Sequence, residues 1–400
     1  MVTVKPVSSP PLHVPALRIG ILGASSIARK NALAICASEK CKLVAIASRS
    51  RSKAVQLLEK FVDDHAIQIF SGDKEESQAD GENLGAYQRL IDCPDIDALY
   101  IPLPTSLHLF WVKAALNAGK HVLVEKPVAI TASEYEEMIE TSQQTCKYLM
   151  DGTMFVHHPR TKQVLNFISN QEEQQSFGNV VRIYSDFSFL GDEDFFANNI
   201  RVKSKALNGD PLGCIGDLGW YCVRMAQLVF QCTQNTMPKT AQVVHYQLNE
   251  HDVPIDATCI IAFQNNSILT FHCGFLAPLT QTVSIYGLNQ CIFMDDYVIP
   301  KENINSFYVQ SQQLAHADTH SIHDNKEIKS DLHTVSQEAH MWNSFATYCR
   351  AYDSNSDNDD REMAKTKDAS LLLQMSLQNQ KIMDALILSV QRGGEKIEIS

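Results

Sequence analysis

The chain has no membrane-length apolar run, no Cys-x-x-Cys pair and no excess of positive charge, and each absence removes a class of function. Without about 20 consecutive apolar residues, no helix is expected to cross a bilayer. Lysine and arginine total 34 against 46 acids, a formal charge of -12. That balance argues against wholesale nucleic-acid binding, because neutralising phosphates takes basic faces. The 11 cysteines are scattered singly, which predicts reduced thiols in a cytoplasmic protein rather than a disulfide framework or a zinc site. Met1 to Ala16 is proline-rich, lacks the apolar centre of a secretory signal, and reads as a flexible lead-in.

What is present is an ordinary globular composition: 44% hydrophobic and 20% charged residues over 400 positions, enough for two or three domains with their own cores. The first 150 residues alternate apolar, β-branched runs with helical patterns. Leu17–Gly23, Lys42–Ala47, Ala98–Ile101, His121–Val124 and Lys147–Met150 read as strands. Between them Ser25–Ala37, Ser52–Phe61, Leu107–Ala118 and Ser133–Gln144 read as helices. Such alternation predicts a parallel sheet covered on both faces, with ligands bound beyond the carboxyl ends of its strands. Residues 71–85 are acidic and polar and read as a surface loop.

The turn after the first strand is Gly23-Ala24-Ser25-Ser26-Ile27-Ala28. Gly23 and Ala28 occupy the first and third positions of a dinucleotide fingerprint, whereas Ser25 replaces the second glycine. The helix start still offers free N–H groups to a pyrophosphate. An acid that would hold a ribose 2′-hydroxyl is missing from the end of the second strand. Ser48, Arg49 and Lys53 stand in that stretch instead, and their chemistry suits a 2′-phosphate. NADP is therefore the expected cofactor. Pro102, Leu103, Thr105 and His108 follow the strand Ala98–Ile101, and Glu125 and Lys126 the strand His121–Val124, where a nicotinamide would lie.

Lys126, placed after four apolar strand residues, can hold a substrate hydroxyl or stabilise an alkoxide; the alternative is a lysine reaching out from a strand end. Asp217 and Tyr221, four apart at the start of an amphipathic helix running to about Phe230, share one face. They could orient a hydroxyl and take its proton; a capping aspartate and a core tyrosine are the structural alternatives.

These pieces together resemble the Gfo/Idh/MocA oxidoreductase family, through GILGASSIA, LPTSLH, HVLVEKP and Asp217-x-x-x-Tyr221, in order and spacing. Within it the resemblance is to the branch of dimeric dihydrodiol dehydrogenases, NADP-linked D-xylose dehydrogenases and their plant-type relatives. It implies a catalytic Lys126 completed by Asp217 and Tyr221, and a cis Lys126-Pro127 peptide. It also implies a homodimer formed through the open face of a C-terminal sheet, and a sugar, polyol or vicinal diol as substrate.

From Gly178 onward two-residue alternation takes over, in 180–189, 241–248, 257–263, 267–274, 282–286 and 291–295. This predicts an α+β domain with an open antiparallel sheet, dividing the chain into a lead (1–16), a Rossmann-type NADP-binding domain (17–150) and a substrate and dimerisation domain (151–400). Phe187, Phe189, Phe271 and Phe275 could serve that dimer face or the core. His316, His320 and His323, within the insertion at 310–335, could share a helix face, but nothing nearby supports a metal. Residues 353–362 read as an acidic link to a last helix at about 364–391. Arg160 and Arg201 are candidate substrate contacts. The expected function is hydride transfer between NADP and a CH–OH group, the rival being a non-catalytic NADP sensor on the same fold.

Overall fold

The computed structural model describes residues 15–59, 67–72, 84–170, 176–300, 306–311, 325–329, 336–353 and 360–399. The histidines at 316, 320 and 323, most of the acidic segment 71–85, and residues 354–359 of the acidic link lie outside the described residues.

Six strands form a wholly parallel sheet: β1 (Leu17–Leu22), β2 (Cys41–Ser48), β3 (Gln68–Ser71), β4 (Ala98–Ile101), β5 (His121–Val124) and β6 (Leu149–Asp151). Their order is β3-β2-β1-β4-β5-β6, the dinucleotide-binding arrangement that reverses beside β1 and opens a crevice there. Helices α1 (Ser26–Ala37), α2 (Arg51–Leu58), α3 (Leu84–Ile91), α4 (His108–Asn117) and α5 (Ala132–Thr145) connect them. β4 and β5 are buried at every position, as strands covered on both sides must be. β3 and α3 were not foreseen. β3 is a four-residue edge strand, exposed at its first residue and fully buried only at its last, so it lacks the continuous apolar run that marks the others.

The second sheet has nine strands. They are β7 (Arg182–Leu190), β8 (Pro238–Leu248), β9 (Pro254–Phe263), β10 (Ile268–Gly274), β11 (Leu276–Tyr286), β12 (Gln290–Met294), β13 (Ser306–Ser311), β14 (Asn325–Lys329) and β15 (Ile397–Glu398), in the order β14-β13-β12-β11-β7-β10-β9-β8-β15. The expectation of an antiparallel sheet needs one amendment: β7 and β10 run parallel. A parallel pair needs a long crossover, and the chain between β7 and β10 supplies it with helices and the β8–β9 hairpin. The segment read as an insertion at 310–335 contributes to this sheet, since β14 extends the edge beyond β13.

The remaining helices are α6 (Pro159–Ser169), α7 (Glu193–Asn198), α8 (Trp220–Gln234), α9 (Gln337–Asp353) and α10 (Asp360–Gln391). The last two return to the first sheet. Trp342 Nε1 donates to Asn31 Oδ1 of α1 at 2.9 Å, and the Ala132 N–H at the start of α5 donates to Asp384 Oδ2 at 2.7 Å. A cut near residue 150 therefore separates the two sheets but not the helices that bridge them. Among the described residues no helix is long and apolar enough to cross a membrane.

The four phenylalanines considered for a dimer face belong to the interior. Phe187, Phe271 and Phe275 are buried and Phe189 packs on the same core; Phe187, Phe189 and Phe271 take inward positions of the pleat, and Phe275 lies between β10 and β11. Arg182 and Tyr184 take the outward positions on β7. Beneath the second sheet the fully buried Arg224 meets Asp151 Oδ2 at 3.2 Å and lies 5.6 Å from the Trp220 ring, while its Nε and Nη1 have no hydrogen-bond partner among the described residues.

Candidate active site

The crevice starts at the turn after β1. Gly23 has φ +118°, which glycine adopts readily, and a Cβ there would sit 3.0 Å from Leu103. Ser25 Oγ accepts from the Ala28 N–H at 3.3 Å and so caps α1. Ala28 is buried, as the third fingerprint position requires where helix meets strand, while Ser25, Ser26 and Ile27 line the crevice. Pro102 and Leu103 line its opposite lip.

Lys126 is delivered by β5 and reaches the start of α8. There the chain makes a π-helical turn, Ile215–Gly219, before the regular helix begins. Gly216 lets that turn close onto Pro127: a Cβ would meet Leu212 at 2.5 Å and Pro127 at 3.2 Å. The Lys126-Pro127 peptide is cis. Lys126 Nζ donates to Asp217 Oδ1 at 2.5 Å and to the Asp217 carbonyl at 3.0 Å, and it lies 4.9 Å from the centre of the Tyr221 ring. Arg201 Nε approaches the other Asp217 oxygen at 3.2 Å. Asp217 and Tyr221 thus line one cleft, but through a π-turn rather than one regular α-turn, and Asp217 caps nothing.

Electrostatics follow from burial and pairing. Burial pushes Asp217 up, yet Arg201 and Lys126 outweigh it and hold the carboxyl below its usual range. Burial lowers Lys126, but the Asp217 charge prevails and holds the ammonium above the ordinary lysine value. Burial pushes the Tyr221 hydroxyl up to about 12 against the pull of Lys126, so it is neutral at pH 7. Glu125 is raised by burial, with the Tyr100 hydroxyl donating to it and Lys126 nearby pulling the other way.

The cleft holds about 430 Å³ and includes Glu125, Lys126, Gly152, Arg201, Asp217 and Tyr221, with an apolar wall of Met154, Phe187, Phe189, Leu279 and Met341. A second cavity of about 420 Å³ opens on the far side of the Ser25–Ser26 turn, where Arg29, Lys53 and Gln56 gather. Of the other basic-stretch candidates, Ser48 is buried and accepts from the Ser50 N–H, and Arg49 is exposed and turned toward the Tyr87 hydroxyl.

Three expectations need correction. Arg160 does not line the cleft: its guanidinium is buried on Asp296, Nη1 to Oδ1 at 2.7 Å, so it is already neutralised. His108 is fully buried between the carbonyls of Leu103 (2.8 Å) and Val128 (3.1 Å) and props the loop that carries Leu103. Thr105 is likewise buried, its N–H donating to Asp210 Oδ1 at 2.7 Å. Sequence reasoning missed Arg29 and Lys30, although basic residues at a helix start were part of the signal used for Lys53. It also missed Glu338, a buried carboxylate 2.6 Å from Lys30 that reaches the cleft from α9.

A parallel sheet of this order, with a lysine–aspartate–tyrosine cluster beyond its carboxyl edge and a second domain closing over it, defines a two-domain NAD(P)-dependent oxidoreductase. Two family models match the chain, "Oxidoreductase family, NAD-binding Rossmann fold" over residues 17–153 and "GFO/IDH/MocA C-terminal domain" over residues 171–292. The chain belongs to the GFO/IDH/MocA family. A dTDP-3,4-didehydro-2,6-dideoxy-alpha-D-glucose 3-reductase of Saccharopolyspora spinosa is 28% identical over 287 residues, 71% of this chain and 76% of that protein. D-xylose 1-dehydrogenase (NADP(+)) 2 of Haloferax volcanii is 29% identical over 212 residues, 53% of this chain and 57% of the relative. The solved structure of KijD10, a 3-ketoreductase from Actinomadura kijaniata in complex with NADP and TDP-benzene, superposes with a TM-score of 0.72 at 22% identity, covering 94% of this chain and 98% of that one. At that identity the likeness is one of fold.

Proposed function

We propose that the protein is an NADP-dependent dehydrogenase or reductase that interconverts a carbonyl and a secondary or anomeric hydroxyl on a sugar, polyol or vicinal diol. One observation carries this reading: Lys126, Asp217 and Tyr221 meet in a single cleft beneath the phosphate-binding turn. A sensor would have no use for that convergence. The residues present fit a dinucleotide: Gly23 is free of the Cβ that would close the turn, and Arg29 and Lys53 face a cavity sized for a phosphate-bearing ribose. When bound, NADP supplies or takes up the hydride.

The protein's own groups manage the oxygen. Lys126, kept protonated by Asp217, sits where it can stabilise a developing alkoxide. Tyr221, neutral at pH 7, donates its proton to that alkoxide in reduction and recovers it from the hydroxyl in oxidation. Arg201 and the apolar wall bearing Phe187 and Phe189 hold the rest of the substrate. The names of the relatives, a sugar ketoreductase and a xylose dehydrogenase, support the substrate class. The outer sheet face, with Tyr184, Ile268 and Val244 exposed, offers the surface on which a second copy would pack. Ten described cysteines, all free, accord with a reducing cytoplasmic setting.

The test is turnover of a panel of aldoses, polyols and diols, followed by NADPH absorbance across pH. Because the Tyr221 hydroxyl lies near 12, its ionised fraction grows about tenfold per pH unit below that value. Oxidation should therefore climb steeply from pH 7 to 10 in the wild type, and Tyr221→Phe should lose most of the rate and the slope with it. NADP binding without turnover of any panel member would favour the sensor. A second prediction concerns the cofactor. Lys53→Glu places a carboxylate where a 2′-phosphate would sit and should raise the KM for NADP more than tenfold while leaving NAD nearly unaffected; parallel changes in both would remove Lys53 from that role.

A further inference from the structure

We propose that Trp342, Asn31 and Tyr100 form a one-way hydrogen-bond chain that holds the Glu125 carboxylate as an acceptor facing the cleft, ready for a hydroxyl of the bound cofactor or substrate. This rests on the reading of the cleft given above.

The direction of the chain is fixed at its far end. An indole N–H can only donate, and Trp342 Nε1 donates to Asn31 Oδ1 at 2.9 Å. The Asn31 amide nitrogen therefore points the other way, donating to the Ile27 carbonyl at 3.3 Å and to the Tyr100 oxygen at 2.7 Å. A flipped amide would set N–H against N–H at Trp342 and oxygen against oxygen at Ile27, so both ends agree. The Tyr100 oxygen accepts from Asn31, and its single hydrogen is left for Glu125 Oε1. The other carboxyl oxygen accepts the Lys126 N–H at 3.3 Å.

Every member is buried, in four segments: α1, β4, the end of β5, and α9 from the last third of the chain. Glu125 is wedged against Gly152, where a methyl would sit 3.1 Å from Oε1, and it borders the cleft. A buried carboxylate normally drifts toward its neutral form, which would offer a donor instead of an acceptor. The charged and titratable groups facing it are Tyr100 on β4, Asp151 at the end of β6, Tyr221 on α8, and Lys126 and Arg201. Glu338 on α9 acts on Tyr100. Burial and Asp151 raise the Glu125 carboxyl above its ordinary range, and the Tyr100 hydrogen bond and Lys126 limit that rise. Trp342, Asn31 and Tyr100 are thus positioning residues that act through Glu125.

Asn31→Asp tests the direction. It keeps the shape and still accepts from Trp342, but a carboxylate at position 31 takes the Tyr100 hydrogen for itself. Glu125 then loses the Tyr100 donor, keeping only the weaker Lys126 N–H, and its acid limb should move up by about one pH unit. Tyr100→Phe should shift it the same way, and it serves as a second variant should Asn31→Asp not fold. Two readouts between about pH 5 and 9 separate the ligands: NADPH dissociation constants from nucleotide fluorescence, and kcat/KM for the substrate. A limb that moves in both assigns the hydroxyl to the cofactor; one that moves only in kcat/KM assigns it to the substrate. Unmoved limbs in both variants, with turnover retained, would overturn the proposal, because a merely structural role lowers stability or rate without shifting pH dependence. A wild type that neither binds NADPH nor turns over would instead sink the reading of the cleft.

Discussion

Lys126→Met is expected to lower kcat/KM about 10³-fold while NADP binding and the melting temperature stay close to those of the wild type. In the proposed mechanism the lysine contributes charge at the place where an alkoxide would form, and removing one such donor from a dry site typically costs two to three orders of magnitude. Methionine keeps the length and apolar stem, so the cleft keeps its shape. Asp217 loses one partner but retains Arg201 at 3.2 Å, which limits the penalty of a stranded carboxylate. Lys126→Arg should not restore activity: a planar fork of five donors cannot reproduce a point charge at 2.5 Å from Asp217 and 4.9 Å from the Tyr221 ring. Steady-state kinetics beside a nucleotide titration decide the matter. A kcat/KM within about tenfold of the wild type would remove Lys126 from the chemistry.

The largest effect on stability is expected away from the cleft. Asp151→Ala should destabilise the protein by about 3–5 kcal/mol, because it leaves the Arg224 guanidinium buried with no counter-charge. Among the described residues Arg224 lacks partners at Nε and Nη1, and Asp151 and the Ser376 hydroxyl at 3.0 Å satisfy Nη2. Urea denaturation measures the change. The double variant Asp151→Leu with Arg224→Met should recover most of the loss, since removing both charges also removes their desolvation. A loss below about 1 kcal/mol in the single variant would show that the pair contributes little. The pair also has a pH signature. Burial raises Asp151 but Arg224 and Ser376 outweigh it, so its pKa is lowered in the folded state. Its contribution is present above the unfolded carboxyl range, near 3.9, and is lost as pH falls below it.

The fold was legible where apolar runs were continuous. β1, β2, β4 and β5 are short, buried and β-branched, and their carboxyl ends placed Gly23 and Lys126 correctly. The candidate site was legible for a related reason: Lys126 follows a strand with no break, and Asp217 and Tyr221 open an amphipathic helix. The π-turn was not legible, because the glycines that permit it look like ordinary loop residues until Pro127 and Phe271 are seen packed against them. Arg160 misled because an arginine after a helix cap gives no local hint of Asp296, 136 residues later. His108 misled likewise, its two carbonyl partners being visible only in three dimensions. Asn31, Tyr100 and Trp342 were out of reach for the same cause, since their contacts cross as many as 311 residues and leave no periodic trace.

The return of α9 to α1 has a consequence for a shortened chain. Without α9, Asn31 has no Trp342 indole to accept from and Lys30 loses the Glu338 carboxylate. Glu338, Met341 and Trp342 lie far beyond the six strands of the first sheet in the sequence, and α10, which binds the start of α5 through Asp384, lies beyond them. A nascent or C-terminally clipped molecule would therefore carry the fingerprint yet lack one wall of the pocket.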